Sequence, residues 1–173
     1  IISDNFSDIL GDDQIQGIAL ATTAETHADL AIQAMRSGKD VFVEKPMALS
    51  ISDAESMQTV AHETGRILMV GHLLEYHPAV LKLCELIHSG ELGKINYVYS
   101  NRLNFGKVRT EENALWSFAP DDVAVILRLL GQSPIEVSAS GGAYLTKGIA
   151  DVTVSNFLFS NNSRAHIFVS WLH

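Results

Sequence analysis

The 173-residue sequence lacks the features that mark several classes of protein. Its single cysteine, Cys84, excludes an internal disulfide framework and is typical of a reducing compartment. Its apolar stretches, such as 67–70 and 123–127, are far shorter than the roughly 20 residues that cross a bilayer. Only 12 Lys and Arg stand against 20 Asp and Glu, and they form no basic block. We therefore expect a cytoplasmic protein without a nucleic-acid or membrane partner.

Two kinds of catalytic or metal motif are also missing. The seven histidines include no HxH pair and no HExxH motif, and one cysteine cannot complete a zinc set, so we predict no metal site. No GxSxG motif supports a Ser-His-Asp triad. What the sequence does have is apolar residues: 47% are hydrophobic and 18% are charged, which favours a folded protein with a buried core.

The two ends of the sequence predict a fragment of a longer chain. The first residue is Ile1, not Met, and the last nine residues, 165–173, form an apolar run. The sequence does not start with the basic and then apolar segments of a signal peptide, so a signal peptide does not explain the missing Met. We interpret both ends as strands cut in mid-structure.

Apolar runs alternate with helical patterns from residue 15 to residue 70. Strands are predicted at 17–21, 41–43 and 67–70. Between them, Thr26 is placed to cap one helix, with Asp29 three residues on as in a capping box, and Ser52 or Asp53 begins another. Three strands with helices between them predict part of a doubly wound parallel sheet.

The pattern changes after Gly71. One helix is predicted at 78–88 and another at 122–130, whereas strands are predicted at 95–104, 135–143, 151–159 and 164–171. A turn at 161–162 joins the last two strands as a hairpin. The fold class is therefore α/β: a partial Rossmann domain, followed by an α+β domain whose sheet is mainly antiparallel with helices on one face.

Net charge divides at the same point. Residues 1–72 hold 11 acids and 4 bases (net −7), and residues 73–173 hold 9 acids and 8 bases (net −1). The stretch 96–110 contains Arg102, Lys107 and Arg109 and no acid. Taken alone, this stretch is better interpreted as a solvated strand edge than as an anion site.

The carboxyl ends of the predicted parallel strands carry polar residues that would line one crevice. These residues are Thr22, Thr23, Glu44, Lys45, Pro46, Gly71 and His72. Pro46 favours an extended conformation of Lys45, which fixes the direction of an amine able to act as a base or donor. An isolated Glu-Lys-Pro tripeptide, however, is more often an ordinary turn.

The order and number of matching positions resemble the Gfo/Idh/MocA oxidoreductases. The matches are 18–22, His27, 30–31, Ala34, 38–39 and 41–46, and they continue at 71–72, 76–79, 90–95, 101–104 and 116–120. The family comprises NAD(P)-dependent sugar and cyclitol dehydrogenases with a Rossmann domain and a C-terminal α/β domain. The later matches are similar to the branch that oxidises UDP-N-acetylglucosamine or its uronate at C3.

The resemblance implies two domains with different roles. Residues 1–72 would be the C-terminal part of the NAD(P)-binding domain, and 73–173 a truncated domain for substrate binding and self-association through its sheet. The implied cofactor, NAD with NADP left open, would be bound by Thr22, His27, Glu44, Lys45, Pro46 and His72. A nucleotide-sugar substrate would be bound by Arg102, Asn104, Lys107, Arg109, Trp116 and Asp122. Lys45 and Asp121 would be catalytic.

The sequence departs from the family pattern at two places. The glycine-rich turn that cradles the cofactor pyrophosphate is absent from all 173 residues. In addition, Asp121 stands where the family usually has the histidine of Ala-Pro-His-Asp. An ordinary Asp is a weaker base than His by roughly 2 to 3 pKa units, although the like charge of Asp122 would raise its pKa.

Three other functions stay open from the sequence. One keeps the family and replaces the substrate by a free sugar or inositol, for which the arginines would be unnecessary. A second is an NAD-binding regulatory protein that lost catalysis with the histidine. The third, a cofactor-free sheet domain that binds proteins, requires the matches from Thr22 to Pro46 to be coincidental.

Overall fold

The computed structural model describes residues 2–105 and 108–173 and separates the chain into two units. They are Ile1–Gly71 and His72–His173, and each is described by itself. Lys107, one of the predicted substrate contacts, lies outside the described residues.

The first unit is built on a three-stranded parallel sheet. Strands β1 (Gly17–Leu20), β2 (Asp40–Val43) and β3 (Leu68–Val70) lie in the order β1-β2-β3. Helix α1 (Phe6–Leu10) precedes the sheet, α2 (His27–Arg36) connects β1 to β2, and α3 (Ile51–Thr64) connects β2 to β3. The predicted alternation of parallel strands and helices is confirmed.

One face of this sheet carries the core of the unit. Helix α2 buries Ala31, Ala34 and Met35, which recur at helical spacing, against Val41 and Val43 of β2. Helix α3 adds two more buried side chains, Met57 and Val60. The turn between α2 and β2 contains Gly38 at φ +79°, a conformation in which glycine avoids the steric cost of a Cβ.

The second unit is a four-stranded mixed sheet with helices. In chain order it contains α4 (Pro78–His88), β4 (Tyr97–Leu103), α5 (Ala114–Leu130), β5 (Pro134–Gly142), β6 (Val152–Phe159) and β7 (Arg164–Ser170). The strand order is β4-β7-β6-β5, in which β4 pairs parallel to β7 and the other two pairings are antiparallel. The predicted α/β class with a mainly antiparallel second sheet is confirmed.

The two faces of this sheet differ. Helix α5 covers one face, where Ile167, Val169 and Trp171 are at most 1% exposed. On the other face the rings of Tyr97 and Tyr99 stack and the His166 ring is tilted against both, and the two tyrosines are more than half exposed. Self-association through this sheet remains a prediction.

Helix α5 is longer than the sequence predicts, because it begins at Ala114 and not at Asp122. Pro120 was expected to lie outside the helix, since an interior proline removes a backbone hydrogen bond and costs about 3 kcal/mol. The Asn113 side chain nevertheless accepts a hydrogen bond from the Trp116 N–H, and Ala114 and Ala119 pack into the core. Capping and packing together override the local effect of Pro120.

The predicted helix starts in the first unit are also corrected. Thr26 does not cap α2: its hydroxyl donates to the Thr23 carbonyl, because a 3₁₀ turn at Ala24–Thr26 leads directly into the helix. Helix α3 begins at Ile51, where Ser50 provides the cap by accepting from the Asp53 N–H.

The start of the chain differs from prediction as well. Residues 2–5 form no strand and lead into helix α1, whereas Ile1, the first residue of the predicted opening strand, lies outside the described residues. The Asn5 side chain accepts from the Ser7 N–H and caps this helix, a local contact that a two-residue apolar run cannot outweigh. Among the residues described here, no helix is long and apolar enough to cross a membrane.

Candidate functional site

Three predicted cofactor contacts lie where β1 and β2 end. Thr22 is exposed after β1, and Glu44 and Lys45 are half-buried after β2. The Glu44 N–H donates to the Leu20 carbonyl at 2.9 Å, which extends the ladder between the two strands by one residue. A hydroxyl, a carboxylate and an ammonium group therefore follow two adjacent parallel strands at the same edge of the sheet.

The Glu44 carboxylate is held at this edge by two close neighbours. One oxygen accepts from the Lys45 backbone N–H at 3.2 Å. The other lies against Gly71, where an added Cβ would stand 3.2 Å from it and 3.1 Å from the Phe42 ring. Gly71 thus leaves the space that the Glu44 side chain occupies.

Replacing Gly71 with alanine is expected to destabilise the first unit by about 1 kcal/mol, since the Phe42 ring and the Glu44 carboxylate must both move to admit a methyl group. Gly17→Ala is the matched control, because its Cβ would meet only ordinary contacts at 3.5 Å and beyond. Urea denaturation of both variants measures the difference. Equal stability of the two variants would show that Gly71 is not needed for space.

His27 connects the two strand ends from inside the unit. It is 1% exposed, with Nδ1 2.9 Å from the Pro46 carbonyl and Nε2 3.2 Å from the Thr22 carbonyl. The Lys45–Pro46 peptide that it holds is cis. A side chain this buried fixes the backbone around Thr22 and Lys45 and presents almost no surface of its own to a ligand.

The donor set of this edge fits one half of a dinucleotide. Ribose hydroxyls both donate and accept hydrogen bonds, which the Glu44 carboxylate and the Lys45 ammonium complement. A pyrophosphate requires a cradle of backbone N–H groups at a glycine-rich turn, and the 173 residues contain no such turn. The edge therefore fits ribose hydroxyls and not a pyrophosphate.

In the second unit, the candidate site begins with a histidine and a carboxylate. Nδ1 of His72 lies 3.5 Å from Oδ1 of Asp121, which is on α5. The His72 side chain is 30% exposed and that of Asp121 is 10% exposed. His72, predicted to contact the cofactor, is thus paired with the residue predicted to be the catalytic base.

The adjacent carboxylate, Asp122, binds Arg102 from β4 through two bonds. Its oxygens accept from Nε of Arg102 at 2.8 Å and from Nη2 at 3.2 Å, and from the Ser100 hydroxyl at 2.7 Å. The Asp122 side chain is only 9% exposed, against 32% for Arg102. Asp122 therefore orients the guanidinium and has little surface for a substrate, whereas Arg102 keeps part of its surface exposed.

Other residues of the acid-free stretch lie nearby in sequence. Arg109 pairs with the buried carboxylate of Glu112 at 3.2 Å. Asn104 is exposed, and its backbone N–H donates to the Ser170 carbonyl. Trp116, which lies beyond this stretch on α5, is 38% exposed. Carboxylates from outside the stretch thus balance two of its positive charges, which the sequence count did not reveal.

Ser100 and Glu112 are site residues that the sequence reasoning missed. Alternate residues of a strand lie on the same face, so Ser100 and Arg102 of β4 are neighbours. The position of Ser100 beside Arg102 could therefore have been predicted from the sequence. The Glu112 contact follows an i, i+3 spacing, but it lies before α5 in a segment without regular structure. In the described part of the chain, no group of three or more His, Cys, Asp or Glu side chains is placed to hold a metal ion.

Comparisons with known proteins agree with this geometry. Residues 2–72 match the family model described as "Oxidoreductase family, NAD-binding Rossmann fold". The chain aligns over its full length with the crystal structure of an NAD-binding protein from Listeria innocua, with a TM-score of 0.91, 21% identity and 52% coverage of that chain. At this identity the likeness shows the fold.

Curated relatives have several activities. The 2,7-anhydro-N-acetylneuraminate hydratase of Mediterraneibacter gnavus is 29% identical over 88% of this chain and 45% of its own length. The UDP-N-acetylglucosamine 3-dehydrogenase of Acidithiobacillus ferrooxidans is 26% identical over 91% and 49%. The scyllo-inositol 2-dehydrogenase (NAD(+)) of Bacillus subtilis is 36% identical over 52% and 26%.

The chain spans about half the length of the relatives that it matches over most of its own length. Its parallel sheet, with helices between the strands, agrees with the family match over residues 2–72. Over residues 2–72 the chain matches the Gfo/Idh/MocA family of oxidoreductases.

Proposed function

We propose that the whole protein carrying this sequence is an NAD-dependent dehydrogenase. Its substrate is the secondary ring alcohol at C3 of a UDP-N-acetylhexosamine or the corresponding uronate. The observation that carries the proposal is the arrangement after β2, where Glu44 holds the backbone of Lys45 and both side chains stay half-exposed at the sheet edge.

Residues of the first unit act on the cofactor side. Glu44 and Lys45 bind the hydroxyls of the nicotinamide ribose, and Lys45 also donates to the oxygen of the reacting alcohol. His27 acts by positioning, since it fixes the backbone at Thr22 and Pro46. A bound oxidised nicotinamide supplies the chemistry of accepting a hydride.

Residues of the second unit act on the substrate side. Arg102 and Arg109 are more than 30% exposed and suit bidentate binding of a phosphate or carboxylate. Trp116, with 38% of its surface exposed, supplies an apolar face for a sugar or base ring. Asp122 keeps the Arg102 guanidinium in a fixed orientation.

A second candidate substrate is a free sugar or inositol. The balance of Arg102 by Asp122, and of Arg109 by Glu112, favours it, because paired arginines attract an anionic substrate less strongly. The relationship to the inositol dehydrogenase of B. subtilis points the same way.

Substrate kinetics with two arginine variants separate these candidates. Arg102→Lys keeps the positive charge opposite Asp122 but loses the planar guanidinium, which can donate two parallel hydrogen bonds. For a nucleotide sugar we expect KM to rise about tenfold, which corresponds to loss of one charge-assisted hydrogen bond. Arg36→Lys, an exposed change in the first unit, is the control.

The measurement is NADH formation by the whole protein with UDP-N-acetylglucosamine, N-acetylglucosamine and inositol. Turnover of inositol with an unchanged KM in Arg102→Lys would support the second candidate and contradict the first. A protein that binds NAD but turns over none of them, and gains turnover in Asp121→His, would be a regulatory protein.

A further inference from the structure

We infer that His72, held by Asp121, is the proton acceptor of the proposed reaction and that Asp121 is a positioning residue. This inference rests on the proposed function, because it concerns the proton released when an alcohol is oxidised. In the family pattern described above, a histidine usually stands at the position of Asp121. Here the proton is assigned instead to His72, which lies on a different element.

The pairing follows from where the two residues lie. His72 precedes the 3₁₀ turn Leu73–Tyr76, which packs against α5. Asp121 projects from α5 with Oδ1 3.5 Å from Nδ1 of His72. This distance is at the long end of the hydrogen-bond range, and such contacts in ligand-free enzymes commonly shorten when the substrate is bound.

The chemistry of the pair decides which nitrogen is available. An ionised carboxylate only accepts hydrogen bonds, so the proton of a neutral His72 ring is on Nδ1 and the lone pair is on Nε2. Within the two described ranges, Nε2 of His72 makes no hydrogen bond, and 30% of the side chain is exposed. A basic nitrogen therefore remains accessible while the other side of the ring is held.

Exposure and charge argue against Asp121 as the acceptor. Its side chain is 10% exposed and one of its oxygens faces His72, whereas imidazole is the more basic group. The other charged groups on these two elements are paired: Asp122 with Arg102, and Glu75 with Arg128 at 3.3 Å. In this pair the His72 ring can accept a proton, and the adjacent Asp121 carboxylate compensates the positive charge that the ring gains.

The step would balance with a bound oxidised nicotinamide, which would supply the hydride acceptor. The alcohol O–H proton would pass to Nε2 of His72, and the hydrogen on the same carbon would leave as a hydride. The C–O bond becomes a carbonyl, and the resulting His72 imidazolium faces the Asp121 carboxylate. The proton then leaves to solvent from the exposed side of the ring.

The first test measures the His72 tautomer and needs no turnover. In ¹⁵N NMR of the whole protein at a pH where the ring is neutral, we expect the Nδ1–H form, and we expect it to be lost in Asp121→Asn. His72→Gln assigns the signal. His88 is an internal control, because its Nδ1 lies 2.7 Å from the Cys84 carbonyl and must carry a proton in either protein. An Nε2–H form of His72 in the unmodified protein would overturn the inference.

The second test measures kinetics. We expect His72→Gln to lower kcat about 100-fold or more, as loss of a general base does, with KM changed less than threefold. His72→Ala should regain part of its kcat on addition of imidazole, a rescue that loss of structure alone would not show.

The role of Asp121 is tested by combining variants. Asp121→Asn should lower kcat about tenfold or more in the unmodified protein but have a much smaller effect in His72→Gln, because the ring that it positions is then missing. Full activity of Asp121→Asn, or independent effects of the two changes, would contradict a positioning role. If the unmodified protein oxidises no alcohol, the proposed function fails, and the NMR result alone then decides the His72–Asp121 pair.

Discussion

Lys45→Ala is expected to lower the kcat of the whole protein for alcohol oxidation by at least about 100-fold. The ammonium group stands half-buried at the end of β2, where it would stabilise the negative charge that develops on the reacting oxygen. Removing one preorganised donor of this kind typically costs 10²–10³-fold in rate. Steady-state formation of NADH from the proposed substrate measures the loss.

Two further variants show whether this loss is specific. Lys82→Ala removes a lysine that is 58% exposed and pairs with Glu85 on the surface of α4, so its kcat should be unchanged. Lys45→Arg keeps the charge but changes its shape and reach, so it should recover only part of the rate. If Lys45→Ala had the same kcat as the unmodified protein, Lys45 would have no part in the reaction.

Trp171→Ala is expected to lower the free energy of unfolding of the second unit by about 3–5 kcal/mol. The indole is 1% exposed under α5, next to Ile167 and Val169 in the core. A methyl side chain at that position leaves a cavity that the sheet cannot close, because β7 is paired on both edges. Urea denaturation, followed by far-UV circular dichroism, measures the change.

Two controls separate packing from hydrogen bonding at Trp171. Its Nε1 has no hydrogen-bond partner among the residues that the structure describes, so Trp171→Phe removes an unsatisfied donor and should cost less than about 1.5 kcal/mol. Trp116→Ala makes the same change at a side chain that is 38% exposed and should also cost less than Trp171→Ala. If all three variants were equally stable, Trp171 would not be a core residue.

Much of the fold is local enough to be predicted from the sequence. The alternation of short apolar strands with helices up to Val70 identifies the parallel sheet, and the spacing of Ala31, Ala34 and Met35 identifies the buried face of α2. Helix α4 has the predicted bounds of 78–88 because Pro78 begins it and a serine–glycine pair follows its end.

Helix starts were the least predictable feature. Thr26 has the right residue type for a cap, yet its hydroxyl is used by the preceding 3₁₀ turn. Pro120 predicts a break, yet α5 passes through it because both flanking segments pack into the core. At Thr26 a competing local contact, and at Pro120 packing against the core, outweighs a local preference of about 1 to 3 kcal/mol.

The sequence by itself predicted the family that residues 2–72 match, the class of each sheet and the candidate residues at the strand ends. These depend on residue type and on spacing along the chain, which a sequence states directly. Only the tertiary structure decided how the charged residues pair. Asp122 forms an ion pair with Arg102, and Asp121 contacts His72, which lies 49 positions earlier in the chain. Pairing between distant residues depends on how a helix packs on a sheet, and packing is a property of the folded chain as a whole.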